Sequence, residues 1–411
     1  MKKVLNLSRT IDIGSRFNNF SLRNQFSSYS WEPTFASWER PKHEISEISF
    51  AKNKVNSLLT DYQKKVSWFT GDINGYYRNA NFFKGMEAYK QADLLHLHVI
   101  HEHFLSLKDW MSLCKDKPVV WTWHDPYPMH GHCIHSFDCE RYREGCQSCP
   151  NLDSHFSIFR DRSFKNLKER AAVIEKINPL IIVASDWMND KINNSVLADK
   201  IRVHRLPFGI KPVNKNLLKI DAIRSNLNIP KENIVIGMRA DESIYKGWPL
   251  ISSVLDELVL NYPYLPLTLI AFQEKNLLEK YQGTYQVVNL GWVPGEEIHD
   301  YFSLMDFFLM PSRAESFGLM AVEAMVNGVF PLVTYGTALS SLMRNANFSL
   351  ISNNTTEDYL ALLLNSILNV SYFRKERSEL ISWATQEYSS DSFVRNLTNI
   401  YSKEYARFHN F

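Results

Sequence analysis

The chain has 411 residues, 45% hydrophobic and 13% aromatic, the composition of a folded rather than a disordered protein. With 46 basic against 44 acidic residues, a net charge of +2 gives no bulk electrostatic basis for nucleic-acid binding. The length exceeds what a single core serves and predicts two domains, and no apolar run reaches the length of a membrane span.

In chain order, Met1-Lys2-Lys3-Val4-Leu5-Asn6-Leu7-Ser8 is too short in its apolar part for a signal peptide and reads as a first strand, so a cytoplasmic protein is expected. A loop, Asp12-Ile13-Gly14-Ser15-Arg16, follows it. Residues 3–8, 66–70, 92–98, 118–124, 179–185 and 201–207 read as buried strands of the first half. Residues 234–238, 266–272, 286–290, 306–310 and 330–334 do the same in the second. Helical or polar stretches separate them, the pattern of parallel α/β units with ligand sites beyond the C-terminal strand ends. We place the boundary near Gly209 and Pro212, giving domains 1–210 and 211–387, and a final segment 388–411 with loose helical spacing (Phe393, Leu397, Ile400, Tyr401, Tyr405).

Within the first half, alternation puts His96 and His98 of Leu94-Leu95-His96-Leu97-His98 on one strand face, followed by His101 and His103. That is either a metal-ligand pattern or a polar core beside a binding site. Trp121-Thr122-Trp123-His124-Asp125 closes a strand, so His124 emerges at its C-terminal end. Four of the five cysteines crowd the insert 131–150: Cys133, Cys139, Cys146 and Cys149, the last two as C-x-x-C. Their spacing suits a structural zinc site, with His132 and His135 near enough to replace one thiolate; free thiols or disulfides are the other reading. Next, Arg160, Arg162, Lys165, Lys168, Arg170 and Lys176 interleave with Phe159, Phe164, Leu167 and Ile174. Such a basic amphipathic helix either lies on an anionic membrane or shows a solvated charged face.

In the second half, Gly237-Met238-Arg239 ends a strand and Lys246-Gly247-Trp248 opens a helix, two cations placed to offset a diphosphate. Further on, Pro311-Ser312-Arg313-Ala314-Glu315-Ser316-Phe317-Gly318-Leu319-Met320-Ala321-Val322-Glu323 sets two carboxylates eight positions apart across a strand–loop–helix unit. At about 1.5 Å per residue they lie roughly 12 Å apart along the axis. A helix N-terminus, whose N–H groups and dipole suit a phosphate, falls between them. Acid, anion site and second acid match a sugar, a diphosphate and a ribose in turn. Glu323 sits in an otherwise apolar segment, where a carboxylate is rarely placed without a task.

The Glu-Ser-Phe-Gly-Leu-x-x-x-Glu element, with its continuation Ala324-Met325-Val326-Asn327-Gly328-Val329-Phe330-Pro331-Leu332-Val333, resembles the signature of family-4 retaining glycosyltransferases. The likeness is to the enzymes of bacterial capsule, exopolysaccharide and colanic-acid-type assembly. It implies an α/β chain of GT-B architecture: two Rossmann-like domains facing across a cleft, with the C-terminal helix crossing back to the N-terminal domain. Donor contacts then fall on Glu315 and Glu323, on the turn Ser316, Phe317, Gly318 and Leu319, and on Lys246 and Arg239. Gly14 stands where the family has its glycine-rich loop, though with one glycine only, and Gly291-Trp292-Val293-Pro294 falls near the base. His124 takes an orienting role beside the donor sugar, since front-side attack needs no protein nucleophile. Some of these enzymes carry a cysteine insert like residues 131–150. The implied reaction moves a sugar from a UDP- or GDP-sugar to a glycan or lipid-linked glycan, with no metal needed for catalysis and with peripheral membrane contact. The rivals are a GT-B epimerase or hydrolase, a non-catalytic GT-B partner subunit, and a zinc-dependent nucleic-acid binder.

Overall fold

The computed structural model describes residues 1–9, 18–39, 48–50, 54–101, 103–213, 216–273, 276–295, 297–346, 348 and 350–410. The chain divides into two units, one made of Met1–Gly209 with Ser390–Phe411, the other of Ile210–Ser389.

Seven strands form the sheet of the first unit: β1 (Lys2–Ser8), β2 (Trp31–Ser37), β3 (Ile48–Phe50), β4 (Leu94–Leu97), β5 (Val119–Thr122), β6 (Leu180–Val183) and β7 (Arg202–Arg205), in the order β3-β2-β1-β4-β5-β6-β7. Six form that of the second: β8 (Ile234–Ala240), β9 (Leu267–Gln273), β10 (Gln286–Gly291), β11 (Phe307–Met310), β12 (Phe330–Thr334) and β13 (Ile351–Ser352), in the order β10-β9-β8-β11-β12-β13. The strand pairs are parallel, for example Val4 with Leu94 and Phe307 with Ile236. Helices cover both faces of such sheets, which is why the strands are near-continuous apolar runs. Leu5, Leu7, Leu95, Ile236, Phe307 and Leu332 are all fully buried.

Both sheets reverse their winding once, between β1 and β4 in the first unit and between β8 and β11 in the second. In an open α/β sheet a ligand crevice opens at such a reversal, beyond the carboxyl ends of the two strands. The loops after β8 and β11 carry Lys246 and Glu315.

The final helix, Ser390–His409, belongs to the first unit, as the crossover expectation requires. Its fully buried Tyr401 packs edge-on against Trp31 at 5.3 Å and meets His96 Nδ1 through its hydroxyl at 2.6 Å. Arg202 of β7 grips Glu404 with two bonds of 2.8 Å.

One predicted strand is a helix. Residues 66–70 end the helix Lys54–Thr70. Among its described side chains the buried ones are Thr60, Gln63 and Ser67, at helical spacing, while Leu58, Leu59, Tyr62, Trp68 and Phe69 face outward. Gln63 donates to the carbonyl of Tyr76 and Ser67 to that of Asp72, so polar side chains face inward and the apolar period is inverted. Strands β2, β3 and β13 had no counterpart in the sequence reading. β2 contains Pro33, normally a mark against a strand. The register of β3 begins only at Phe35, so at Pro33 no outer strand asks for the missing N–H.

Candidate functional site

In the second unit the loop after β8 is laced to the loop after β11. The carbonyl of Tyr245 accepts from the amides of Arg313 (3.0 Å) and Ala314 (3.2 Å). Gly247 caps the helix Trp248–Asn261 at φ 78°, and a Cβ there would collide with the carbonyl oxygen of Pro311. Only glycine lets these loops close to this distance. The lacing brings Lys246 Nζ to 3.0 Å from Glu315 Oε2, both side chains mostly shielded yet open in part to solvent. The ammonium is thus positioned, with its charge balanced by Glu315.

Three residues beyond Glu315, Gly318 adopts φ 96° and starts the helix Leu319–Val326. Any side chain at Gly318 would strike Leu339. The Glu315 carbonyl accepts from Ala338 N at 3.1 Å, which fixes the turn from a second side. Ser316 and Phe317 are buried, Phe317 edge-on to Tyr388 at 5.8 Å, and Leu319 is half-buried. Glu323 is 2% exposed among the fully buried Ala321, Val322, Ala324 and Met325. Lys246, Glu315, the Ser316–Leu319 turn and Glu323 therefore share one neighbourhood of the second unit. Arg239, near the end of β8, pairs with Asp241 at 2.7 Å. Gly14 lies outside the described residues.

In the first unit the histidines form a relay. Asn6 Nδ2 donates to the Thr34 carbonyl at 3.4 Å, so its Oδ1 is the acceptor for His98 Nε2–H at 3.1 Å. His98 Nδ1 is then left to accept from His124 Nε2–H at 3.0 Å, with the two rings stacked at 5.2 Å. Burial holds His98 well below its ordinary pKa and brings His124 down to about 4, so both rings are neutral at physiological pH. Asp125 pairs with His101 at 3.2 Å and accepts from the Tyr127 amide at 2.9 Å. His96, bonded to Thr122 Oγ1 at 2.7 Å and to Tyr401, is a core residue. The share of Asn6 in this relay has no signal in the sequence, because it depends on β1 lying beside β4.

Cys133, Cys139, Cys146 and Cys149 are free and line one small cavity together with His130 and His132. Among the described residues, no three His, Cys, Asp or Glu side chains are gathered tightly enough to hold a metal ion. The basic helix is in part an interior element. Arg170 is fully buried, and Arg162 pairs with Asp72 and Glu169, so neither belongs to a charged outer face.

Among the described residues no helix is long and apolar enough to cross a membrane. Residues 219–386 match the family described as Glycosyl transferases group 1. The chain is 23% identical over 322 residues to WcaC of Escherichia coli (strain K12), a candidate colanic acid biosynthesis glycosyl transferase, covering 75% of this chain and 76% of that protein. Among solved structures it is similar to sucrose-phosphate synthase from Thermosynechococcus elongatus, with a TM-score of 0.68 at 15% identity over 99% of this chain and 100% of that one. It is also similar to HepE of Anabaena in complex with UDP-glucose, with a TM-score of 0.63 at 14% identity over 98% and 100%. The residues that match the Glycosyl transferases group 1 model thus hold Lys246, Glu315 and Glu323, in a chain of GT-B fold.

Proposed function

We propose that the chain is a retaining glycosyltransferase that moves a sugar from a nucleoside-diphosphate sugar to a hydroxyl of a growing surface glycan. The observation that carries this reading is the Lys246–Glu315 pair at the mouth of a sheet reversal, followed by a glycine-opened helix that buries Glu323. Lys246 answers the diphosphate and Glu315 the sugar hydroxyls. The helix N-terminus holds phosphate oxygens, and Glu323 takes the ribose. Arg239 supplies a second cation once released from Asp241. No metal has a part in transfer on this reading. In the first unit, His124 is the residue offered to substrate, and its neutral ring, whose Nε2–H is taken by His98, can act there only as an acceptor through Nδ1 and carries no charge. The likeness to WcaC supports a role in envelope polysaccharide assembly, and the likeness to HepE with UDP-glucose supports a nucleotide-sugar donor.

The test is a thermal-shift screen against UDP, GDP, ADP, CMP and dTDP, with wild-type protein and Glu323→Ala. A shift with one nucleotide that vanishes in the variant is the expected result. No shift with any of them would sink the reading in favour of a non-catalytic GT-B subunit.

The outward face of the helix Lys54–Thr70 supports a membrane-linked acceptor. Trp68 and Phe69 both pack on the exposed Phe159, at 5.3 and 5.8 Å, and the Arg160 guanidinium lies 5.0 Å over the Phe69 ring. Leu58 and Tyr62 of the same helix are exposed as well, and aromatic side chains beside a guanidinium are the mixture that seats in an anionic lipid interface. We expect the protein to co-sediment with vesicles containing anionic lipid but not with neutral ones, and Trp68→Ala with Phe159→Ala to abolish this. Equal recovery in the supernatant with both vesicle types would remove the membrane from the proposal.

A further inference from the structure

We propose that Cys133, Cys139, Cys146 and Cys149 form a structural zinc centre that fixes the insert 131–150 beside the loop carrying His124 and Asp125. Independently of any donor site, three observations point to a cation ligated by these thiols.

The first is the cavity itself. The four thiols and two imidazoles surround one small space, and the backbone around it is already committed. Gly145, Cys146 and Ser148 all hold positive φ, at 98°, 60° and 49°. Two non-glycine residues in that region within one C-x-x-C loop is an arrangement that needs an external reason. The Gly131 amide donates to Cys146 Sγ at 3.3 Å, Cys149 N donates to Asp161 Oδ2 at 2.8 Å, and Ser163 Oγ donates to the Cys146 carbonyl at 2.8 Å. Loop and sulfur are thus held from several sides.

The second is the state of the imidazoles. His130 Nδ1 faces the carbonyls of Cys133 (3.3 Å) and Ile134 (3.0 Å), so it carries the ring hydrogen. Its Nε2 is left as a lone-pair acceptor, wholly buried and with no hydrogen-bond partner among the described residues. A buried acceptor in that condition costs free energy unless something else takes the lone pair. His132 repeats the pattern, with Nδ1 on the Phe156 carbonyl at 3.0 Å and Nε2 facing Cys149 Sγ at 3.2 Å. A ring nitrogen fixed by a backbone carbonyl on its far side is the tautomer a metal requires.

The third is charge. Arg170 is fully buried under the insert. It donates to the carbonyls of Tyr127 and His130, to Asn74 Oδ1 and to the Tyr127 hydroxyl, and none of these four acceptors is a carboxylate. Lys191 stands 4.0 Å over the ring of Tyr142, another residue of the cavity wall. When the four thiols bind a divalent cation they release their protons to solvent, and the shell keeps a net charge of two minus. That charge places an anion beside a buried guanidinium whose four acceptors are all neutral. Two disulfides in the same place would leave both Arg170 and His130 Nε2 as they are.

Soft thiolates with imidazole in reserve select zinc among common divalent ions, and a closed tetrahedral shell leaves no position for substrate. The thiols line the cavity without yet converging on its centre, so closing the shell asks for side-chain rotation. His130 Nε2 can stand in for the most exposed thiolate.

The test uses the purified full chain without a polyhistidine tag. Elemental analysis is expected to find one zinc per chain. Exchange into cobalt is expected to give the intense thiolate-to-metal absorption, which Cys146→Ser loses and Cys114→Ser, a buried cysteine outside the cavity, keeps. If Cys146→Ser fails to fold, the wild-type cobalt spectrum and intact mass decide alone. A folded wild-type chain without zinc and without the cobalt band overturns the proposal. So does a mass lower by four hydrogens, which would mean two disulfides.

Discussion

Replacing Lys246 with alanine is expected to lower kcat by about 10²–10³-fold, the usual cost of removing one positioned donor from developing charge. The ammonium is held by Glu315 at 3.0 Å and by a loop that Gly247 allows to close on Pro311. On the proposed reading it therefore meets a leaving diphosphate without reorganising. Alanine removes the charge and also releases Glu315 from its partner, so the two residues act as a unit. Lys246→Ala and Glu315→Gln should consequently be non-additive, the double variant being little worse than the poorer single one. Initial rates with the donor identified by nucleotide screening, measured for all four proteins, check this. An unchanged kcat in Lys246→Ala, or strict additivity, would show that the pair is a surface ion pair unconnected with transfer.

Asp306→Ala should give the largest loss of stability, about 2–4 kcal/mol in the second unit. Asp306 is 3% exposed at the entry to β11. It accepts from the Val235 amide at 2.9 Å, from Arg374 Nε and NH2 at 2.8 and 2.9 Å, and from Arg377. One carboxylate thus ties β11 to β8 and both to the helix Val370–Glu387. Removing it takes the acceptor from the Val235 amide and the counter-charge from two guanidinium groups, which keep only the carbonyls of Asn233 and Met305. Asn at this position keeps one acceptor oxygen and should lose less. The urea midpoint of the second unit, followed by far-ultraviolet circular dichroism, is the measurement. An alanine variant with an unshifted midpoint would mean the arginines find water at no cost.

The second unit was the more legible half. Its strands are short apolar runs, and its candidate residues are contiguous: Glu315, Gly318 and Glu323 follow one another across a single strand–loop–helix unit, so spacing alone places them in one neighbourhood. Lys246 was readable because Gly247 marks the turn beside it. The first unit resisted for a definite reason. In the helix Lys54–Thr70 the inward face is Thr60, Gln63 and Ser67, so an apolar count sees the wrong period and suggests a strand at 66–70. The burial of Arg170 was equally hidden: its acceptors come from Asn74, Tyr127 and His130, far away in sequence, and nothing local separates it from Lys168 on the outer face. The His98–His124 contact depends on β4 lying beside β5, and the part of Asn6 on β1 lying beside β4. Sheet order is the property that motif reading does not supply.

The first unit is closed by the last helix of the chain, with Tyr401 under His96 and Glu404 on Arg202. This has a bearing on synthesis. A ribosome makes residues 1–209 first, yet these cannot bury Trp31 and His96 until residues 390–409 have emerged. The whole of residues 210–389 is translated in the interval and is free to fold ahead of the unit that precedes it. The nascent N-terminal half must therefore wait with an open apolar flank, and that flank is where a chaperone would bind.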